Sequence, residues 1–374
     1  MSVKGLLATL AIVATTVVAC ELGARIWLWT PSSVGGESIG DRLGNARYAF
    51  APDVPGDLVP AQDGHWVVWW RRPYHVVTNS QGFRSLEEPR PGFRQIVALG
   101  DSQTFGPYVA TEDTWPAWVQ SELRRRDLVG PVQVHNGGVS GYTIADQLAW
   151  LRDKGLALKP DLILLGIFEN DILDYRRVLD GRAARPGASG GAGGAFAEFV
   201  ERLRTEFGRN LALYNLAAML KRDWEFRRAN VDRVRGEGDS ALAKPDVGAE
   251  LARFSAAYER DFREFVRLAR GAGIPIAVVA IPSPSVLAEG ETADVARLVA
   301  RLSAELDLPY LDLMPDFEAA DDPAQSLYLL HWSAELKGLT GNGHLSRAGH
   351  LLAGRKTAEW LANFEPRKLG LSGR

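Results

Sequence analysis

Ser102 stands where an apolar run, Ile96 to Leu99, gives out at Gly100 and Asp101 in the stretch IVALGDSQTFG. A serine hydroxyl is a weak nucleophile until a base takes its proton. His344, in GNGHLSRAGH, is the candidate base, able to return that proton to a leaving oxygen. A tetrahedral intermediate also needs hydrogen-bond donors for its oxyanion. The backbone N–H groups of Ser102 and Gly138 and the side-chain amide of Asn170 are the candidate donors, drawn from NGGVSG and ENDILD. Together these groups answer the needs of serine-dependent acyl transfer.

Residues so far apart in the chain need a scaffold that gathers them. Five short apolar runs, QIVAL, VQVHN, DLILLGI, IPIAVVAI and LPYLDL, are separated by longer helix-like stretches. The latter include TWPAWVQSELRRR, IADQLAWLRDKGL, ELARFSAAYERDFREFVRLARGA, DVARLVARLSAELD and, last, RAGHLLAGRKTAEWLANF. Strands alternating with helices predict an α/β fold with a mostly parallel five-stranded sheet covered on both faces. Ligands of such sheets bind beyond the carboxyl ends of the strands. Ser102 follows the first run, Gly138 the second and Asn170 the third, while His344 precedes the final helix. A serine at a strand-to-helix turn is exposed above the sheet, near N–H groups that favour developing negative charge. Asp101 is expected to hold that turn through backbone N–H groups and Asp171 to order the loop of Asn170. Glu169 has two open readings, a carboxylate that narrows the pocket or meets a polar substrate group, or a solvated one.

LGDSQTFG, NGGVSGYT, ENDILD and GHLSRAGH, in that order between Arg94 and about Asn363, resemble the four blocks of the SGNH (GDSL-type) hydrolase superfamily. TNSQGFRS, just ahead of the first run, and the apolar N-terminus resemble a membrane-anchored bacterial branch of it. The resemblance implies a flavodoxin-like three-layer α/β/α sandwich and ester hydrolysis or O-acyl transfer without a cofactor. No metal site is expected, because the histidines near His344 lack a ligand spacing and no His-Glu-x-x-His helix occurs.

One departure bears on the base. The superfamily carries an aspartate two or three residues before its histidine, where this chain has Asn342 and Gly341. A triad aspartate fixes the imidazole tautomer and stabilises the imidazolium. Three arrangements are open: a Ser–His dyad oriented by Asn342 or a backbone carbonyl; a carboxylate from Asp321, Asp322 or Glu335; or a weakened site that serves binding. Of the six histidines, His65 and His75 precede the sheet, His135 lies within a strand, His331 falls in a loop, and His350 packs or caps. His344 remains as the base.

The chain of 374 residues has a formal net charge of -3 and no basic block, so nucleic acid is not an expected partner. Its single cysteine, Cys20, rules out an internal disulfide. GLLATLAIVATTVVAC is uncharged, and its continuation through ELGARIWLW to Trp29 predicts a signal-anchor helix over residues 1–29, with Glu21 and Arg25 able to pair. The rival readings are a lipidated Cys20, since VVAC resembles a lipobox, and a cleaved signal peptide. Each sends the body, facing the periplasm or exterior, toward an acylated small-molecule or glycan substrate. Residues 30–93 are expected to connect the anchor to the body and to pack on it, with Trp66, Trp69 and Trp70 as buried packing or a sugar platform. The catalytic domain is placed at 94–364, with a helical insertion at about 173–247 that caps the site or forms a surface excursion. Residues 365–374 form a tail.

Overall fold

The computed structural model describes residues 2–28, 58, 60–61, 63–66, 74–126, 130–169, 171, 175, 211, 213–214, 217, 247–289, 293–333 and 338–363. Most of the expected insertion, Trp69 and Trp70, Asn170, Glu335 and the tail lie outside them.

The chain divides into two compact units. The first comprises residues 1–51, 62–76 and 187–242. It contains helix α1 (Val3–Leu28), then strand β1 (Asp63–Trp66) paired with β2 (Tyr74–Val77), whose last residue belongs to the second unit. At 1.5 Å per residue α1 is about 39 Å long, enough to cross a hydrocarbon core of about 30 Å. Lys4–Ala24 has a mean hydropathy of 2.0, and Leu6, Leu7, Leu10, Ile12, Val13 and Val17 are all exposed. The Arg25 side chain is outside the described residues; Glu21 accepts a hydrogen bond from the Leu213 N–H at 2.8 Å.

The second unit holds the parallel sheet. Its strands are β3 (Arg94–Leu99), β4 (Val132–Asn136), β5 (Leu162–Ile167), β6 (Ile276–Ala280) and β7 (Tyr310–Asp312), in the order β4-β3-β5-β6-β7. This is the flavodoxin-like order, in which the chain reverses direction across the sheet beside β3. Ala98 of β3 lies opposite Asn136 of β4, and Leu99 lies opposite Leu165 of β5. The carboxyl ends of these strands therefore come together.

The central strands β5 and β6, and β3 from Ile96 on, are apolar on both sides, with helices packed over each face. Val97, Leu99, Ile163 and Leu165 pack with Leu148, Tyr258, Phe262 and Val299 on one face. Ile96, Ala98, Leu162 and Leu164 pack with Trp115, Val119, Leu123 and Leu361 on the other. Each fully buried aliphatic side chain contributes about 1.5–3 kcal/mol.

Short helix α2 (Ser102–Phe105) and helix α3 (Trp115–Arg126) follow β3. After β4, α4 (Ile144–Trp150) passes through a π-turn, Leu151–Gly155, into α5 (Leu156–Leu158). A Cβ on Gly155 would stand 2.6 Å from Cζ3 of Trp150, which explains a glycine in the widened turn. The first face is completed by α6 (Val247–Gly271), and α7 (Pro284–Glu289) and α8 (Asp294–Glu305) follow β6. Beyond β7 lie α9 (Met314–Glu318) and α10 (Pro323–Ser326).

The sequence reading has a loop between β7 and the last helix. The structure has an antiparallel hairpin, β8 (Tyr328–Ser333) and β9 (Gly338–Leu345), followed by α11 (Arg347–Asn363). His331 is thus in a strand rather than a loop. Three glycines in GLTGNGHL hide β9 from propensity, since glycine weakens a strand signal.

Candidate active site

Ser102, the candidate nucleophile, sits on a turn fixed from both ends. Asp101 caps α2, its Oδ1 accepting from the Gln103 N–H at 2.9 Å. Gly106 closes the helix in the left-handed region, φ +77°, its N–H donating to the Ser102 carbonyl at 2.8 Å. A four-residue helix cannot hold itself, so packing must. Thr104, fully buried, is the wedge. A Cβ on Gly100 would lie 2.1 Å from its Oγ1, one on Gly166 2.5 Å, and one on Gly138 2.8 Å from its Cβ. Three strand ends therefore approach the nucleophile turn only because they are glycine there.

His344 comes from the end of β9, and its Nε2 lies 2.8 Å from Ser102 Oγ. To act as base toward Ser102, Nε2 must be unprotonated and Nδ1 must carry the proton. The Tyr108 ring packs against the imidazole, centroids 5.7 Å apart and planes at 60°. Tyr108 has φ +72°, strain for a non-glycine residue that places its ring there. His344 is half-buried at its surface, but the imidazole has dense surroundings. Desolvation lowers its pKa from 6.5 to about 4, so it is neutral at physiological pH. Burial, and no described carboxylate, governs that shift. Of the acids considered from the sequence, Asp322 engages the side chain of Gln325, and Glu335 lies outside the described residues. Asn342 lies opposite Leu329 in the hairpin, and its side chain is not among those described.

The oxyanion side differs from expectation. The Gly138 N–H donates to Asn136 Oδ1 at 2.9 Å, so it is not aimed at the space above Ser102. Gly138 serves instead by lacking a side chain: its Cβ would fall 2.4 Å from the Phe105 nitrogen. The Ser102 N–H remains a candidate donor, being in the first turn of α2, where helical N–H groups have no intrahelical partner. Asn170 lies outside the described residues, but its flanks are held. Asp171 donates its N–H to Phe168 O at 3.1 Å and accepts from the Tyr258 hydroxyl at 3.3 Å. Glu169 fits neither sequence reading. It accepts from the N–H groups of Val295 and Ala296 at 3.0 and 3.1 Å, capping α8, and burial raises its pKa.

Three structural residues escaped the sequence reading. Asn136, 1 % exposed, donates from Nδ2 to the carbonyls of Thr104 and Phe105 while accepting from Gly138, so it ties the glycine block to the nucleophile helix. Arg84, also buried, donates to the carbonyls of Phe105, Gly106 and Val109. Gln103 bonds Gly343 O and the Leu345 N–H. An amide ending an apolar strand was the only sequence signal for any of them. Two other histidines are buried and structural in their contacts. His350 Nδ1 accepts from the Trp115 N–H at the start of α3, and His135 meets Gln95 at 2.6 Å.

Residues 98–243 match the profile of the GDSL-like Lipase/Acylhydrolase family. The match takes in Ser102, Gly138 and Asn170 and ends before His344. Among solved structures, an acetyl xylan esterase shares 13 % identity, covering 72 % of this chain and 100 % of its own, with a TM-score of 0.41. A mutant of the acetyl-xylooligosaccharide esterase Axe2 from Geobacillus stearothermophilus shares 17 %, covering 75 % and 97 %, with a TM-score of 0.41. TesA shares 14 %, covering 74 % and 99 %, with a TM-score of 0.40. Identity at this level says nothing of substrate. No curated protein matches the sequence.

Proposed function

We propose, from the GDSL-like acylhydrolase domain that this chain carries, that Ser102 forms an acyl-enzyme with an ester substrate and that His344 is its general base. The contact between His344 Nε2 and Ser102 Oγ is the observation that carries this reading. In the first half-reaction His344 takes the Ser102 proton, Oγ attacks the acyl carbon, and the proton passes to the departing alkoxide. The Ser102 N–H and the Asn170 amide stabilise the oxyanion. In the second half-reaction water, or an acceptor hydroxyl, loses its proton to His344 and attacks the acyl carbon; the C–Oγ bond breaks and His344 returns the proton to Ser102 Oγ. Both acceptors use one acyl-enzyme, so hydrolysis and O-acyl transfer share the chemistry.

The apolar α1 ahead of the catalytic body supports a single-pass anchor in the cytoplasmic membrane with the domain outside the cytoplasm. An O-acylated glycan carrying acetyl groups is the substrate class that location favours. Reaction of the full chain in detergent with a fluorophosphonate, followed by peptide mapping, tests the mechanism. The adduct is expected on Ser102 and is lost in Ser102→Ala and His344→Ala. An unlabelled but folded parent chain sinks the reading. Asn342 in the place of an acid favours one alternative, a catalytically weakened fold acting in glycan binding or envelope polysaccharide assembly; glycan binding that survives Ser102→Ala, without turnover, would select it.

A further inference from the structure

β9 does not pair continuously with β8. Leu345 lies opposite Tyr328 and Asn342 opposite Leu329, so Gly343 and His344 are extra residues in a bulge. A bulge re-aims a side chain, and it also removes the ladder bonds that would fix the backbone carrying it. The residue to be fixed here is the base.

Gln103, 3 % exposed, reaches this bulge from the nucleophile turn. Its Nε2 donates to Gly343 O at 3.1 Å, and its Oε1 accepts from the Leu345 N–H at 3.0 Å. Those two groups belong to the peptides on either side of His344. The side-chain amide therefore occupies the place of a neighbouring strand's peptide, closing the backbone around His344 with one donor and one acceptor. Its own backbone is fixed at the other end by Asp101 Oδ1, and it is next to Ser102 in the chain. Nucleophile and base thus share one rigid link.

We infer that Gln103 is a positioning residue, clamping the bulged backbone on both sides of His344 so that the imidazole faces Ser102. This rests on the proposed role of the Ser102–His344 pair. The clamp matters to chemistry because an error of about 1 Å in a reacting group costs about 10²-fold in rate. Both polar atoms of the Gln103 side chain are engaged by the backbone around His344, so its expected effect falls on kcat rather than on KM.

Gln103→Met fills nearly the same space with neither hydrogen bond. In the full chain it is expected to lower kcat for a p-nitrophenyl ester about 10²-fold with KM unchanged, and to slow fluorophosphonate capture of Ser102 equally. Parental kcat in the folded variant, or a change in KM alone, overturns the clamp. If Gln103→Met does not fold, Gln103→Leu is measured with the same criteria. Amide hydrogen exchange separates this from failure of the proposed function. Exchange at Leu345 accelerates in the variant whether or not the parent turns over ester, and unchanged exchange refutes the clamp.

Discussion

Ser102 and His344 are 242 positions apart, and their Oγ and Nε2 atoms are 2.8 Å apart. Two packed surfaces connect them. One is the turn and bulge just described. The other is the seam between α3 and α11, where a Cβ on Gly354 would lie 2.3 Å from Trp118 Cβ, so the helix following His344 lies hard against the helix following the nucleophile. The contact between Ser102 and His344 inherits its geometry from the sheet through both.

The first prediction concerns pH. A base must be neutral to act, and His344 has its pKa lowered by burial from 6.5 to about 4. Activity, as kcat/KM, is therefore expected to hold as pH falls through 6 and to be lost near 4. An acid limb near 6.5 would show a solvated imidazole. Stability follows the same sign. His135 and His350 are also depressed by burial, to about 4 and about 3, so the unfolded chain takes up protons near 6.5 that the folded chain refuses. The contribution is fully present above that pH and falls toward 4, which Tm against pH measures.

Gly138→Ala places a methyl group 2.4 Å from the Phe105 nitrogen and against Thr104. Overpacking of this kind costs about 1–3 kcal/mol. A lower Tm and a lower kcat are expected together, because the displaced atoms belong to the nucleophile helix. A lower Tm with unchanged kcat would show that the helix does not transmit the shift.

Asn170→Ala is expected to lower kcat by about 10²–10³ with little change in KM, the cost of an oxyanion donor. This variant bears more weight now that the Gly138 N–H is known to serve Asn136. A loss below tenfold would remove Asn170 from the role.

Asn342→Asp is expected to raise kcat by supplying a carboxylate that holds the Nδ1–H tautomer. Steady-state kinetics on a small ester decide it. Unchanged rates would place the orientation of the ring with other groups, the Gln103 clamp first among them.

Much of this was legible before the fold was seen. The central strands announce themselves because both faces are buried, which forces continuous apolar runs such as LILLGI, and the candidate site residues follow the ends of such runs. The pairing of Ser102 with His344, now a contact of 2.8 Å, follows from residue type and order. What resisted reading depends on contacts between distant segments. The β8–β9 hairpin carries glycine where strands usually carry branched residues. Glu169 finds its N–H partners 126 and 127 positions away, and no local pattern encodes that meeting. The Gly138 N–H meets Asn136 Oδ1, an acceptor two residues back that the glycine block does not announce.

Arg84 sets a limit on how far this enzyme can be trimmed. A chain begun at residue 94 keeps all five parallel strands and every candidate site residue, yet lacks the guanidinium that meets the carbonyls of Phe105, Gly106 and Val109 behind Ser102. Phe105 O keeps Asn136 Nδ2 as a donor, but the Gly106 and Val109 carbonyls lose theirs; a buried carbonyl without a donor costs about 1–3 kcal/mol, so the two together are a large share of the stability of many domains. The compact unit that holds the sheet therefore starts upstream of its first strand, and the stretch TNSQGFRS belongs to that unit.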